Sequence, residues 1–151
     1  MAASDLPSTS AEHGPISHMI ARVAKAHMTT AAGLLRGEGL TPGPELLLMA
    51  LWDRDGQSQA ELGKALGLDP STITAKVKTL ERDGLITRTP DPNDRRAMIV
   101  SLTADGARLR PRVEQLWGEL EDATTRGLSE RQRTELLRLL RRVEANLLSP
   151  E

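Results

Sequence analysis

The chain contains no cysteine, no phenylalanine and no tyrosine. Without cysteine it can form no disulfide, thiolate metal site or thiol redox switch. Trp52 and Trp117 are its only aromatic residues, so single-stranded nucleic acid held on stacked rings is not expected. There is no run of about 18 apolar residues, which removes a membrane-spanning helix. Neither sign of charge dominates, and a net charge of -1 gives no global attraction to nucleic acid. A chain of 151 residues is long enough for one domain with a real core. Residues 1–15 mix serine, alanine and acids with no apolar signal core, and read as a disordered or frayed cytoplasmic N-terminus.

What the chain does have is helical periodicity. Ile16, Ile20, Val23, His27 or Ala31, and Leu34 predict one long helix, closed by the glycines of Arg36-Gly37-Glu38-Gly39. Thr41-Pro42 offers an N-cap and a first-turn proline for a second helix through residues 46–52. That helix is apolar nearly all round and should be buried. Ser58-x-x-Glu61 spells a capping box for a short helix that turns Leu62, Ala65 and Leu66 inward and stops at Gly67. Asp69-Pro70 starts the next helix at once, with Ile73, Val77 and Leu80 along one face. Two capped helices joined this closely form a helix-turn-helix.

Leu85-Ile86-Thr87-Arg88-Thr89 is strand-like. Residues 90–94 read as a turn whose prolines cannot donate to a ladder, and Met98, Val100 and Leu102 alternate as a second strand. Thr103 caps a long helix carrying Leu109, Val113, Leu116 and Leu120, with a kink expected at Pro111. Ser129-x-x-Gln132 opens a last helix with Leu136, Leu140, Val143 and Leu147. The fold class is therefore mainly α with a small β-wing. A winged helix-turn-helix over residues 41–103 is flanked by helices over 16–40 and 104–151.

Helix, turn, helix and basic hairpin is the order in which such a domain reads double-stranded DNA, the second helix in the major groove and the hairpin on phosphates or the minor groove. At ~100° per residue, Ser71, Ala75, Lys78 and Arg82 point away from the apolar stripe, with Thr72, Thr74, Lys76 and Thr79 on its flanks. Small hydroxyls suit base edges, while Lys76 and Lys78 suit phosphates. At the hairpin tip, Asp94 is placed to orient Arg95 or Arg96 toward a narrow minor groove. The bland alternatives are a solvated helix face and a surface turn with a weak ion pair; the order of the two features favours the functional reading. The local balance helps modestly: Lys64, Lys76, Lys78, Arg82, Arg88, Arg95 and Arg96 face Glu61, Asp69, Glu81, Asp83, Asp91 and Asp94 within residues 57–96. Gly56 with Gly63-Lys64 has the wrong spacing for a phosphate loop. His13, His18 and His27 are too scattered for a metal motif. No cofactor fingerprint or catalytic constellation stands out, so no enzyme is expected.

Residues 56–103 resemble the MarR family of bacterial winged-helix regulators. The likeness rests on Leu62, Leu66, Asp69, Ser71, Thr72, Thr74, Leu80, Asp83-Gly84-Leu85-Ile86, Arg88, Asp91-Pro92, Asp94-x-Arg96 and Leu102-Thr103. It implies a cytoplasmic homodimer built from the terminal helices, a pseudo-palindromic operator, and most simply a repressor. It also implies that helix 70–83 is the recognition helix and Arg96, with Arg95, the wing arginine; Arg88 joins the candidate DNA contacts. Peroxide-sensing members use a cysteine, which this chain lacks. Others bind small aromatic or phenolic effectors in a crevice, for which His27, Met49 and Trp52 are the candidate lining; core packing is the commoner role for such residues. Gly63 stands where the family more often has alanine, a change expected to loosen that helix by about 1 kcal/mol. The alternative reading is a winged-helix protein-interaction or dimerisation module without specific DNA binding.

Overall fold

The computed structural model describes residues 7–149. Part of the expected frayed segment is helical: Ser8–His13 forms α1, ahead of α2 at Pro15–Gly37. The Ser10 hydroxyl ties the two together, donating to the Pro7 carbonyl at 2.7 Å and sharing a 2.8 Å hydrogen bond with His18 Nδ1. Residues 1–6 of that segment lie outside the described residues.

Helix α3 spans Glu45–Asp53, three residues later than a Thr41 cap with Pro42 in the first turn would start it. Gly43 has φ of 117°, which no right-handed helix tolerates, so Thr41 cannot cap. Its hydroxyl instead donates to Asp83 at 3.0 Å. A two-residue strand β1 (Gln57–Ser58) precedes α4 (Gln59–Leu66). The expected capping box at Ser58 is half formed. Ser58 accepts from the Glu61 amide at 3.1 Å, while the Glu61 carboxylate is drawn to Arg54 at 2.9 Å. Gly67 ends α4 with φ of 64°, and α5 (Pro70–Arg82) begins three residues on, capped by Asp69.

Strands β2 (Ile86–Asp91) and β3 (Asp94–Leu102) form an antiparallel hairpin, and β1 adds to the other side of β3. The strand order leaves β2 at an edge, which is why Pro90 continues the strand where a turn is expected; an edge position tolerates a missing N–H. The ladder shifts register between Pro90 and Asp91, and the turn itself is confined to Pro92 and Asn93.

One core unites these elements. Leu47 and Leu51 from α3, Leu62 from α4, Ile73 and Val77 from α5, Ile86 from β2 and Val100 from β3 are all buried in it. Each such side chain contributes roughly 1.5–3 kcal/mol by leaving water. Leu46 departs from the expected all-round burial of α3 and is 47% exposed. Gly63 is buried, and a Cβ there would stand 3.1 Å from the Leu68 carbonyl oxygen and 3.3 Å from Ile73. The glycine is thus more than a loosening of α4; it permits the close approach of the α4–α5 turn.

The single long helix expected after Thr103 is two helices, α6 (Ala104–Arg108) and α7 (Arg110–Thr124). Pro111 has no N–H for the Ala107 carbonyl and its ring crowds it; the interruption is confined to Leu109, which keeps φ of -74° and ψ of -18°, in keeping with the expected kink. After Trp117 the chain passes into a second compact unit, Gly118–Glu151. There Gly127 turns the chain with φ of 81°, and α8 (Glu130–Leu148) starts from a complete Ser129–Gln132 capping box. No residue of α8 is buried. Among the described residues no helix is long and apolar enough to cross a membrane.

Candidate nucleic-acid interface

Helix α5 buries Ile73, Val77 and Leu80 and exposes Ser71, Ala75, Lys78 and Arg82 on the opposite side, as its periodicity predicts. Thr72, Thr74, Lys76 and Thr79 are half-buried between these faces. The hydroxyls at the N-terminal end are already hydrogen-bonded within the protein. The Ser71 hydroxyl donates to Asp69 Oδ1 at 2.6 Å, and the Thr72 hydroxyl donates to Asp69 Oδ2 at 2.8 Å. The Thr72 amide adds a third hydrogen bond to Asp69 Oδ1 at 2.8 Å. The Ser71 hydroxyl, then the Thr72 amide and hydroxyl, lower the Asp69 carboxyl from 3.8 to about 2.

Thr74 faces inward to a greater degree than its flank position suggests. Its hydroxyl donates to the Pro70 carbonyl at 2.8 Å and accepts from Gln59 Nε2 at 3.4 Å. Gln59 is not among the residues that the sequence marks, because no local pattern distinguishes it; only the α4–α5 packing brings it to Thr74. Its Oε1 is buried without a partner among the described residues. Lys76, expected at a phosphate, instead donates to the Gly43 carbonyl at 3.0 Å. Ala75 offers a bare methyl, a shape suited to the thymine methyl group.

The wing carries Arg95 and Arg96, both exposed at the start of β3. Asp94 positions this segment through the backbone: its Oδ1 accepts from the Arg96 amide at 3.0 Å. Across the tip, Asp91 accepts from the Asn93 amide at 2.8 Å. Arg88 lies away from this group. It makes a two-pronged pair with Glu81, both contacts at 3.1 Å, which lowers the Glu81 carboxyl and raises the Arg88 guanidinium. Among the described residues no ion pair engages Lys78, Arg95 or Arg96.

A crevice of about 170 Å³ opens between the α2–α3 loop and α5 and α7. Leu35, Leu48, Leu80 and Val113 supply apolar walls, and Thr41, Glu45 and Asp83 supply polar groups. His27, Met49 and Trp52, residues open to a crevice or a core role, are not in its lining. Trp52 serves the packing of α3 against α6, where its indole N–H donates to the Gly106 carbonyl at 3.0 Å. The crevice residues are spread over several elements, which no spacing rule joins.

The MarR family model matches residues 40–98, from the crevice loop through the wing. The repressor NicR of Pseudomonas putida is 31% identical over 128 residues, covering 85% of this chain and 81% of that protein. The organic hydroperoxide resistance transcriptional regulator of Bacillus subtilis is 35% identical over 94 residues, covering 62% of this chain. The chain spans only 60% of that relative's length. Among solved structures, a MarR variant from E. coli complexed with operator DNA superposes with a TM-score of 0.80 at 28% identity, covering 93% of this chain and 99% of that one. The chain belongs to the MarR family of winged-helix transcriptional regulators.

Proposed function

We propose that the protein binds double-stranded DNA as a homodimer and represses transcription from the promoter it covers. Helix α5 enters the major groove and the β2–β3 wing reaches the flanking minor groove. The observation that carries this reading is the exposed set of Lys78 on the outward face of α5 and Arg95 and Arg96 on the wing, free of ion pairs among the described residues. The operator complex of the E. coli relative supports it.

Two helices support the dimer. Helix α2 exposes Ile16, Met19, Val23 and Met28, and α8 exposes Leu137, Leu139, Leu140 and Leu147, apolar surface that a lone chain would leave in water. Dimer symmetry then places half-sites about 10–10.5 bp apart, or a multiple of that.

The crevice supports a single-ring effector, since a cavity of roughly 150 Å³ accommodates benzene. Its polar groups are the Thr41 hydroxyl and the Glu45 and Asp83 carboxylates, with no lysine or arginine in its lining. Those groups accept hydrogen bonds from a phenolic O–H and repel a carboxylate, which favours a phenol over an aromatic acid.

Fluorescence anisotropy tests the central claim, with DNA from upstream of the protein's own gene and a scrambled duplex, over a salt series. Tight, salt-steep binding to the upstream DNA, lost in Arg96→Ala without loss of the dimer, is the expected result. Equal, salt-insensitive retention of both duplexes would overturn it in favour of a docking module.

A further inference from the structure

We propose that Asp69 is a positioning residue that fixes the hydroxyls of Ser71 and Thr72 as hydrogen-bond acceptors toward DNA, so that α5 reads exocyclic amino groups there. The inference rests on the DNA-binding reading above and deepens it. An ionised carboxylate can only accept, so the 2.6 Å contact from Ser71 and the 2.8 Å contact from Thr72 each have a single possible direction. Each hydroxyl has one proton, and that proton is held by Asp69. What each oxygen still offers is lone pairs.

Ser71 is exposed on the face opposite the buried stripe, and Thr72 is half-exposed beside it. In the major groove the only base donors are adenine N6 and cytosine N4; guanine O6, thymine O4 and purine N7 all accept. Phosphate oxygens accept as well, so neither hydroxyl can meet the backbone directly. Asp69 itself stays charged across the physiological range. It also caps α5 through the Thr72 amide, so the cap and the reading direction are set by one carboxylate. Thr74 is less available for this role, because its proton goes to the Pro70 carbonyl and one of its two lone pairs already accepts from Gln59.

The test begins with a duplex chosen by the wild-type protein from random sequence. Each adenine or cytosine of the half-site is replaced singly by an analogue lacking the exocyclic amine, and each purine by its 7-deaza form. Wild-type protein is expected to lose about tenfold in affinity at one or more amine deletions, and Ser71→Ala or Thr72→Val to show no further loss there. Asp69→Ser keeps a good cap acceptor for the Thr72 amide but releases both hydroxyl protons. Removing the carboxylate raises affinity for all duplexes together, so the readout is the ratio of intact to amine-less DNA. That ratio should fall below about twofold in Asp69→Ser, measured at a temperature well below its Tm. An unchanged ratio in Asp69→Ser, or wild-type losses confined to 7-deaza positions, would overturn the inference. Absence of salt-sensitive binding to any duplex would instead sink the DNA-binding reading beneath it.

Discussion

Replacing Gly106 with alanine sets two effects against each other. Alanine is favoured over glycine within a helix by about 1 kcal/mol. Gly106 is buried in α6, however, and an added Cβ would stand 2.1 Å from the Leu85 carbonyl oxygen and 3.1 Å from its carbon. The obstruction is backbone, so no rotamer change relieves it. That Leu85 carbonyl accepts from the Thr103 amide at 3.0 Å, and the Gly106 carbonyl accepts from the Trp52 indole at 3.0 Å. Separating the two segments weakens both contacts, at about 1 kcal/mol each, and the overpacking itself costs about 1–3 kcal/mol. The net is a destabilisation of about 3 kcal/mol, or a fall of about 10 °C in Tm at roughly 2–4 °C per kcal/mol. Gly118→Ala in α7 is the comparison: the position is exposed and a Cβ there meets nothing within 4 Å. It should rise by about 3 °C through helix propensity alone. Thermal unfolding at one fixed protein concentration measures both, since a dimer's Tm depends on concentration. A Gly106→Ala protein that melts at or above the wild type would refute the steric argument.

Arg88→Gln should leave the salt dependence of DNA binding unchanged, because its guanidinium is committed to Glu81; a slope reduced by about one would return Arg88 to the phosphate contacts. Lys76→Met should lower the slope by about one only if Lys76 leaves the Gly43 carbonyl on binding, and an unchanged slope assigns it to the loop. The depressed carboxyl of Asp69 stabilises the folded state fully above its ordinary value of 3.8 and loses that contribution as pH falls toward about 2. Glu81, also lowered, acts in the same direction. Acid titration of Asp69→Ser, followed by circular dichroism, should therefore show a shallower loss of stability in this window than the wild type; an identical profile would contradict the linkage.

Much of this fold is legible in the sequence because its signals are local. Asp69-Pro70, Ser129-x-x-Gln132 and the Ile73–Val77–Leu80 stripe each act within one or two turns of chain, and all three stand where the spacing puts them. Failures occur where a distant group competes. Glu61 leaves its cap for Arg54, and Thr41 gives its hydroxyl to Asp83. Strand β1 is invisible because two residues have no period; it exists only through its pairing with Ile99 and Val100. The same rule governs the candidate interface. Facing directions along α5 follow from periodicity, while Thr74 finds its partner on α4, Lys76 on the α2–α3 loop, and Arg88 at Glu81 near the end of α5. Periodicity puts Leu116 and Leu120 on one stripe without saying what covers them, and both are buried. Leu136, Leu140 and Leu147, one stripe of α8 in the sequence, are exposed.

A net charge of -1 is a poor omen for DNA binding only if all charges count equally. Around α5 and the wing they do not. Asp69 is held by Ser71 and Thr72, Glu81 by Arg88, Asp83 by Thr41 and Arg82, and Asp91 and Asp94 by backbone amides of the wing. Glu81 and Asp83 are thus offset by arginines, whereas Asp69, Asp91 and Asp94 keep their charge in fixed positions; Lys78, Arg95 and Arg96 are in no ion pair among the described residues. Beyond about 8–10 Å salt screens exposed charges, so a phosphate at the groove edge responds to this local set and not to the acids of distant helices. A small set of free cations also keeps the sequence-independent attraction modest, because that attraction grows with the number of phosphates neutralised. On the proposed DNA-binding reading, discrimination between sequences then falls to short-range contacts from the outward face of α5, whose hydroxyls donate to Asp69.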